Sequence, residues 1–242
     1  MEFLDLTFRT PAENLACDEA LLDAAEAGVG GELLRIWESP EVFIVVGYGN
    51  KVQTEVNVVA CEARPIPILR RCSGGGTVVQ GAGCLNYALV LQITPNSPTR
   101  SISSANEFIM ERNRSATESA LRAPHPALRV QGHTDLAIGS LKFSGNSQRR
   151  RKQFLLFHGT FLLDFDLSLV SRLLHPPSHQ PEYRASRSHD EFVTNLNVSR
   201  ADLKTALTRA WGADKSSTDF PRSQVIKLVA EKYSTKEWNL KF

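Results

Sequence analysis

Two rhythms of apolar and polar positions divide the chain. From Leu85 to Ile93 the period is two: Leu85, Tyr87, Leu89, Leu91 and Ile93 share one side, and Asn86, Ala88, Val90 and Gln92 the other. This alternation predicts a strand with one buried face. Between Ser101 and Leu121 the apolar positions Ile102, Ala105, Phe108, Ile109, Ala116 and Leu121 keep a helical period, and the helix is predicted to stop before Pro124. An earlier helix begins at Thr10-Pro11-Ala12-Glu13, a capping-box pattern with proline at the first helical position, and runs to about Gly28. After the glycines at 28, 30 and 31, the runs 33–37 and 42–46 flank a Glu38-Ser39-Pro40 turn, and a hairpin is the simplest pairing.

Further on, a short helical stretch is expected near 55–63. The segment 67–71 then enters Cys72-Ser73-Gly74-Gly75-Gly76 and leaves through 77–79 as strand, glycine turn, strand. Strands are also predicted over 128–131, 134–138 and 154–164, with helices over 201–211 and 223–233. No repeat or linker interrupts the pattern. The expectation is one domain over 1–242, with a core to about residue 200 and a helical C-terminal tail over 201–242. Its class is α+β, a mixed and largely antiparallel β-sheet covered by helices.

Composition narrows the classes. With 42% hydrophobic and 22% charged residues and no apolar run near 20 residues, nothing suggests a membrane span. The N-terminus lacks a basic region followed by an apolar run, so a cytoplasmic protein is expected. Cysteines 17, 61, 72 and 84 show no Cys-x-x-Cys spacing and no accompanying His cluster, which suggests reduced thiols rather than zinc or disulfides. A net charge of +2 is too slight to imply nucleic-acid binding. The local run Arg149-Arg150-Arg151-Lys152 reads either as a solvated loop or edge strand or as a docking patch for an acidic partner.

Three clusters could bear chemistry. Arg70-Arg71-Cys72-Ser73-Gly74-Gly75-Gly76 strips side chains from backbone amides beside two forked cations, which suits an anion. The same glycines would equally serve a tight hairpin. The stretch matches neither a P-loop nor a dinucleotide fingerprint. Around Gly139-Ser140-Leu141-Lys142-Phe143-Ser144-Gly145-Asn146 a lone lysine sits among apolar and small residues. Strand alternation puts it with Ser140 and Ser144, opposite Leu141 and Phe143. A solvent-exposed lysine is the plainer reading. His158 interrupts an apolar strand beside Gly159, either as a buried histidine satisfied by its neighbours or as a ligand-lining one.

In this order the clusters resemble the biotin/lipoate protein-ligase superfamily, most closely the lipoate-protein ligase A family. That family has an Arg-Arg-x-Ser-Gly-Gly-Gly stretch, an Asn on the next strand, a Gly-x-Asn-Asp-Leu segment, a Lys-x-Ser-Gly turn and a His-Gly-Thr strand. Here stand Arg70 to Gly76, Asn86, Gly132 to Leu136, Lys142 to Gly145 and His158 to Thr160. The ending Lys232-Tyr233 with Glu237-Trp238-Asn239 also looks like the close of the family's catalytic domain.

The resemblance implies an adenylating enzyme: lipoate or octanoate attacks the α-phosphate of ATP, and a lysine of an acceptor protein then takes the acyl group. Lys142 would be catalytic. Arg71, Gly74, Gly75, Gly76, Thr77, Val78, Val79, Asn86, Asp135, Ser144, Gly145, His158 and Gly159 would line the ATP and lipoate site, with Asp135 meeting Mg2+. Acceptors would be lipoyl domains, as in 2-oxoacid dehydrogenase E2 or glycine cleavage H protein. The chain departs from the family at Gln80-Gly81, where His-Asp is usual, and at Thr134, where Asn is usual. No accessory C-terminal domain is expected after the Trp-Asn ending, so a separately encoded accessory protein could assist. Two other readings remain at this stage: an octanoyl or lipoyl transferase of the same superfamily working through a cysteine thioester, and a non-catalytic lipoyl-binding module.

Overall fold

A computed structural model describes residues 1–121, 125–177 and 179–242. The helix predicted over 101–121 ends at Ala120, before Pro124 as expected. In chain order the strands are β1 (Glu2–Asp5), β2 (Leu33–Trp37), β3 (Phe43–Val46), β4 (Ile68–Arg70), β5 (Val78–Gln80), β6 (Cys84–Gln92), β7 (Leu128–Gln131), β8 (Asp135–Ile138), β9 (Leu141–Arg150), β10 (Phe154–Leu162) and β11 (Lys215–Ser216). The helices are α1 (Pro11–Glu26), α2 (Val52–Glu55), α3 (Val58–Glu62), α4 (Ile102–Ala120), α5 (Ser168–Leu173), α6 (Arg200–Ala210), α7 (Arg222–Leu228) and α8 (Lys236–Asn239). None of the described helices is long and apolar enough to cross a membrane.

Eight strands form one sheet in the order β11-β1-β2-β6-β10-β9-β8-β7, and three form a second in the order β4-β3-β5. The large sheet is antiparallel except where β1 runs parallel to β2 and to β11. The class is therefore α+β with a mixed, mostly antiparallel sheet, as the pattern predicts.

Both expected hairpins are absent. Strand β2 pairs with β1 and β6, while β3 lies in the small sheet between β4 and β5. The Glu38-Ser39-Pro40 turn thus hands the chain from one sheet to the other. Strands β4 and β5 likewise flank β3 instead of pairing, so the glycine segment spans two strand positions rather than making a tight turn. Local pattern specifies strands but not their partners.

Strand β6 is buried on both faces, against the expectation of one. Leu85, Tyr87, Leu89 and Leu91 pack with Ile109 and Met110 of α4, and Ala88 and Val90 pack with Leu15 and Leu22 of α1. The small residues on the second face leave room for a helix. Each fully buried Leu or Phe in these layers contributes roughly 1.5–3 kcal/mol. Helix α1 opens as predicted: Thr10 Oγ1 accepts from Glu13 N, and the Glu13 carboxylate accepts from Thr10 N.

Candidate active site

The site lies on the α1 side of the large sheet, over β8, β9 and β10. One irregularity decides its composition. The register of β8 against β9 shifts between Leu136, opposite Ser144, and Ala137, opposite Lys142. This bulge adds one residue to β9 and reverses the alternation on one side of it. Lys142 therefore shares a face with Asp135, Gly145 and Ser147, and not with Ser144. Phe143 is fully buried towards α4, and Ser144 faces the same way as its partners Leu136 and Phe161.

Lys142 Nζ lies 2.8 Å from Asp135 Oδ1. The second Asp135 oxygen accepts from Tyr183 Oη at 2.8 Å. Tyr183 had no signal in the sequence. It belongs to a short turn, Glu182–Arg184, whose neighbour Phe192 is flanked by the guanidinium groups of Arg184 and Arg187. This segment grips the Lys142 backbone: Lys142 N donates to Phe192 O, and Thr194 N donates to Lys142 O. A Cβ built on Gly145 would stand 2.9 Å from both Cε and Nζ of Lys142. The ammonium thus lies flat over a bare glycine, and the side chain is only 25% exposed.

Two residues further, about 6.6 Å along the strand, Ser147 Oγ donates to Gly74 O at 2.8 Å. That contact docks the glycine segment beside Lys142. Gly75 needs its glycine: it has φ +85°, and a Cβ there would meet Arg71 Nη2 at 2.9 Å. The amides of Gly74, Gly75, Gly76 and Thr77 donate to no protein group among the described residues. Consecutive free amides form a concave nest for an anion.

Arg71 lies beneath this nest. Its donors go to Gly74 O, Gly76 O, Val45 O and Ser73 Oγ, all neutral oxygens. It therefore shapes the loop with its hydrogen bonds and acts on a ligand through its charge. Burial pulls its pKa down to about 10, which leaves the guanidinium cationic at neutral pH. Arg70 turns away and clamps the C-terminal segment to the 47–50 loop, donating to the carbonyls of Gly47, Asn50, Trp238 and Asn239.

The other expected site residues divide by face. Thr160 Oγ1 donates to Asn86 Oδ1 at 2.6 Å and accepts from Gln80 Nε2 at 2.6 Å, on the Lys142 side. Gln80 Oε1 and Trp37 Nε1 are buried there without a hydrogen-bond partner, leaving one acceptor and one donor for a ligand or water. Val78 packs towards α1, whereas Val79 faces the opposite way into the layer of Ile44 and Val46. Gly159 also faces α4, where its missing side chain admits Asn146 Oδ1. Gly159 and Ser144 thus lie behind the site. The Asn146 amide accepts from Tyr87 Oη and donates to Thr134 O, fixing the turn that leads into Asp135.

His158 joins a buried relay. Its Nε2 is 2.6 Å from Ser73 Oγ, and its Nδ1 is 3.1 Å from Asp18 Oδ2. Arg35 Nη1 donates to Asp18 Oδ1 at 2.6 Å. Asp18 and Arg35 escaped the sequence reading because a carboxylate on a helix and an arginine on a strand carry no pairing signal. The basic run at 149–152 is mostly tied down. Arg150 donates to Thr99 O, Arg151 pairs with Asp23 at 2.7 Å, and Arg149 sits over the Tyr48 ring. The four cysteines are buried, and burial raises each thiol, Cys17 and Cys72 to about 12.

Comparison with known proteins finds relatives along nearly the whole chain. An octanoyltransferase, LipM, of Halalkalibacterium halodurans is 26% identical over 99% of this chain and 98% of its own. A lipoate-protein ligase A subunit 1 of Thermoplasma acidophilum is 27% identical over 99% and 97%. The solved structure of a T. acidophilum putative lipoate protein ligase with bound lipoic acid superposes with a TM-score of 0.80 at 25% identity, covering 100% of this chain and 98% of that one. The description of the lipoyl protein ligase A/B catalytic domain matches residues 10–210, and the chain belongs to that family.

Proposed function

We propose that this protein is a lipoate-protein ligase that activates lipoate or octanoate with ATP and passes the acyl group to a lysine of a lipoyl domain. The observation that carries the reading is the Lys142 ammonium laid over Gly145, beside four free amides and a buried guanidinium. A carboxylate and an α-phosphate repel one another. A fixed cation between them offsets that repulsion and meets charge growing in the transition state, an effect worth several kcal/mol in preorganised sites. The bound lipoic acid and the subunit name of the T. acidophilum relatives support a lipoate substrate and a separate accessory subunit.

Asp135 is our assignment for the Mg2+ that accompanies ATP. Among the described residues no group of three or more His, Cys, Asp or Glu could hold a metal. One carboxylate suits an ion that brings phosphate and water ligands with it. The acceptors in this reading are E2 or H-protein type lipoyl domains, and an ATP-fed reaction with free thiols suits a cytoplasmic protein.

The H. halodurans relative favours a second reading, octanoyl transfer through a cysteine thioester. The four buried, protonated thiols count against it, because the thiolate is the attacking species. Mixing protein, ATP and lipoate should release a stoichiometric burst of pyrophosphate, and Lys142→Ala should abolish it. A folded Lys142→Ala protein with an undiminished burst would remove the mechanism.

A further inference from the structure

We propose that Ser73 is a second acyl-accepting nucleophile, activated by His158 and Asp18 and able to take a fatty-acyl group from a thioester without ATP. The inference stands apart from the ligase reading, since it uses neither ATP nor Lys142. Its basis is the relay. With the Ser73 hydroxyl donating to His158 Nε2 at 2.6 Å, the ring proton sits on Nδ1 and goes to Asp18 Oδ2 at 3.1 Å. This is the order of roles in a serine nucleophile, general base and orienting carboxylate.

His158 and Asp18 are each fixed by a rigid element. His158 comes from β10, and Asp18 comes from α1. Arg35 on β2 locks the Asp18 carboxylate while it donates to Leu6 O and Asn14 O. Such support sets the ring orientation that proton transfer needs. Arg71 Nε also donates to Ser73 Oγ at 3.1 Å, placing a cation on the oxygen that becomes an alkoxide. The next four amides are free to receive an oxyanion.

Ser73 is buried beneath the glycine segment, so acylation requires that segment to lift. Lifting would break the bonds that Arg71 and Ser147 make to Gly74 O and Gly76 O, and their re-formation over the ester would exclude water. In the first step the Oγ–C bond forms and the thioester C–S bond breaks. The serine proton passes through His158 Nε2 to the leaving sulfur. In the second step an amine attacks the ester carbonyl, the C–Oγ bond breaks, and His158 returns the amine's proton to Oγ.

The test is incubation of the intact protein with octanoyl-coenzyme A in the absence of ATP, followed by intact mass and peptide mapping. The expected result is one octanoyl group on Ser73, none in Ser73→Ala, and acylation slowed by about 100-fold in His158→Asn. Ser73→Cys should restore an adduct that neutral hydroxylamine removes. Wild-type protein that stays unmodified, or Ser73→Ala acylated as fast as wild type, overturns the proposal. Either outcome leaves the pyrophosphate burst as a separate measurement of the ligase reading.

Discussion

At the scale of residues, the site depends on where one ammonium is allowed to lie. The Lys142 chain folds over Gly145 because nothing projects there, and Asp135 with Tyr183 fixes its direction. Gly145→Ala would put a methyl carbon 2.9 Å from Nζ and Cε. Since the obstructed atoms are the end of a flexible side chain, the fold should hold its melting temperature within a few degrees while adenylation falls by at least about 10-fold. A melting temperature and a pyrophosphate assay on the same sample decide this, and retained adenylation would show that the ammonium's position is unimportant. Tyr183→Phe removes a hydrogen bond to a charged group, worth roughly 1.5–3 kcal/mol. Its expected effect is a turnover lower by about 10-fold or more with the KM for ATP changed far less, and an unchanged turnover would make Tyr183 a packing residue only.

Among elements, α1 reaches the relay, the C-terminal segment and the β9–β10 turn. Its inner face supplies Asp18 to the relay and Glu19 to Lys232 and Tyr233, and Glu26 accepts from Gln153 N and Phe154 N at the β9–β10 turn. Removing its cap in Thr10→Ala should cost about 1 kcal/mol in a urea titration with the slope unchanged. The β9–β10 pair is held from behind by a polar chain in which Trp211 donates to Asn113, Asn113 to Tyr87, and Tyr87 to Asn146. Gly159→Ala would drive a Cβ to within 1.7 Å of Asn146 Oδ1. A buried network with one member expelled leaves unpaired groups costing about 1–3 kcal/mol each. We expect a loss of at least about 2 kcal/mol by denaturant unfolding, and a neutral Gly159→Ala would mean that the network relaxes freely.

For the whole molecule, the thiols report on packing. Cys17 and Cys72 are raised from 9.0 to about 12 because burial disfavours the thiolate. Between those values the unfolded chain has lost the proton and the folded one has kept it. Stability is therefore intact below pH 9 and falls as pH rises towards 12, by up to about 1.4 kcal/mol per pH unit for each thiol. Unfolding midpoints should drop across pH 9–11, and a thiol reagent at pH 8 should label the cysteines only after denaturation. Rapid labelling of native protein would contradict the buried thiols and revive the thioester route.

The sequence by itself determined α1 and its cap and the strand and helix periods, and it marked Arg71 with the three glycines, Lys142 and His158 as three separate local clusters. These are signals written in neighbouring residues. The basic run looked solvated because sequence shows charge and not partners, and Asp23 lies more than a hundred residues away from Arg151. Which strands pair, and which face a residue takes, only the tertiary structure decided. The glycine segment spans two strand positions because β3 enters between β4 and β5. Lys142 faces Asp135 because a single bulge reverses strand alternation, a change of direction that no local preference encodes.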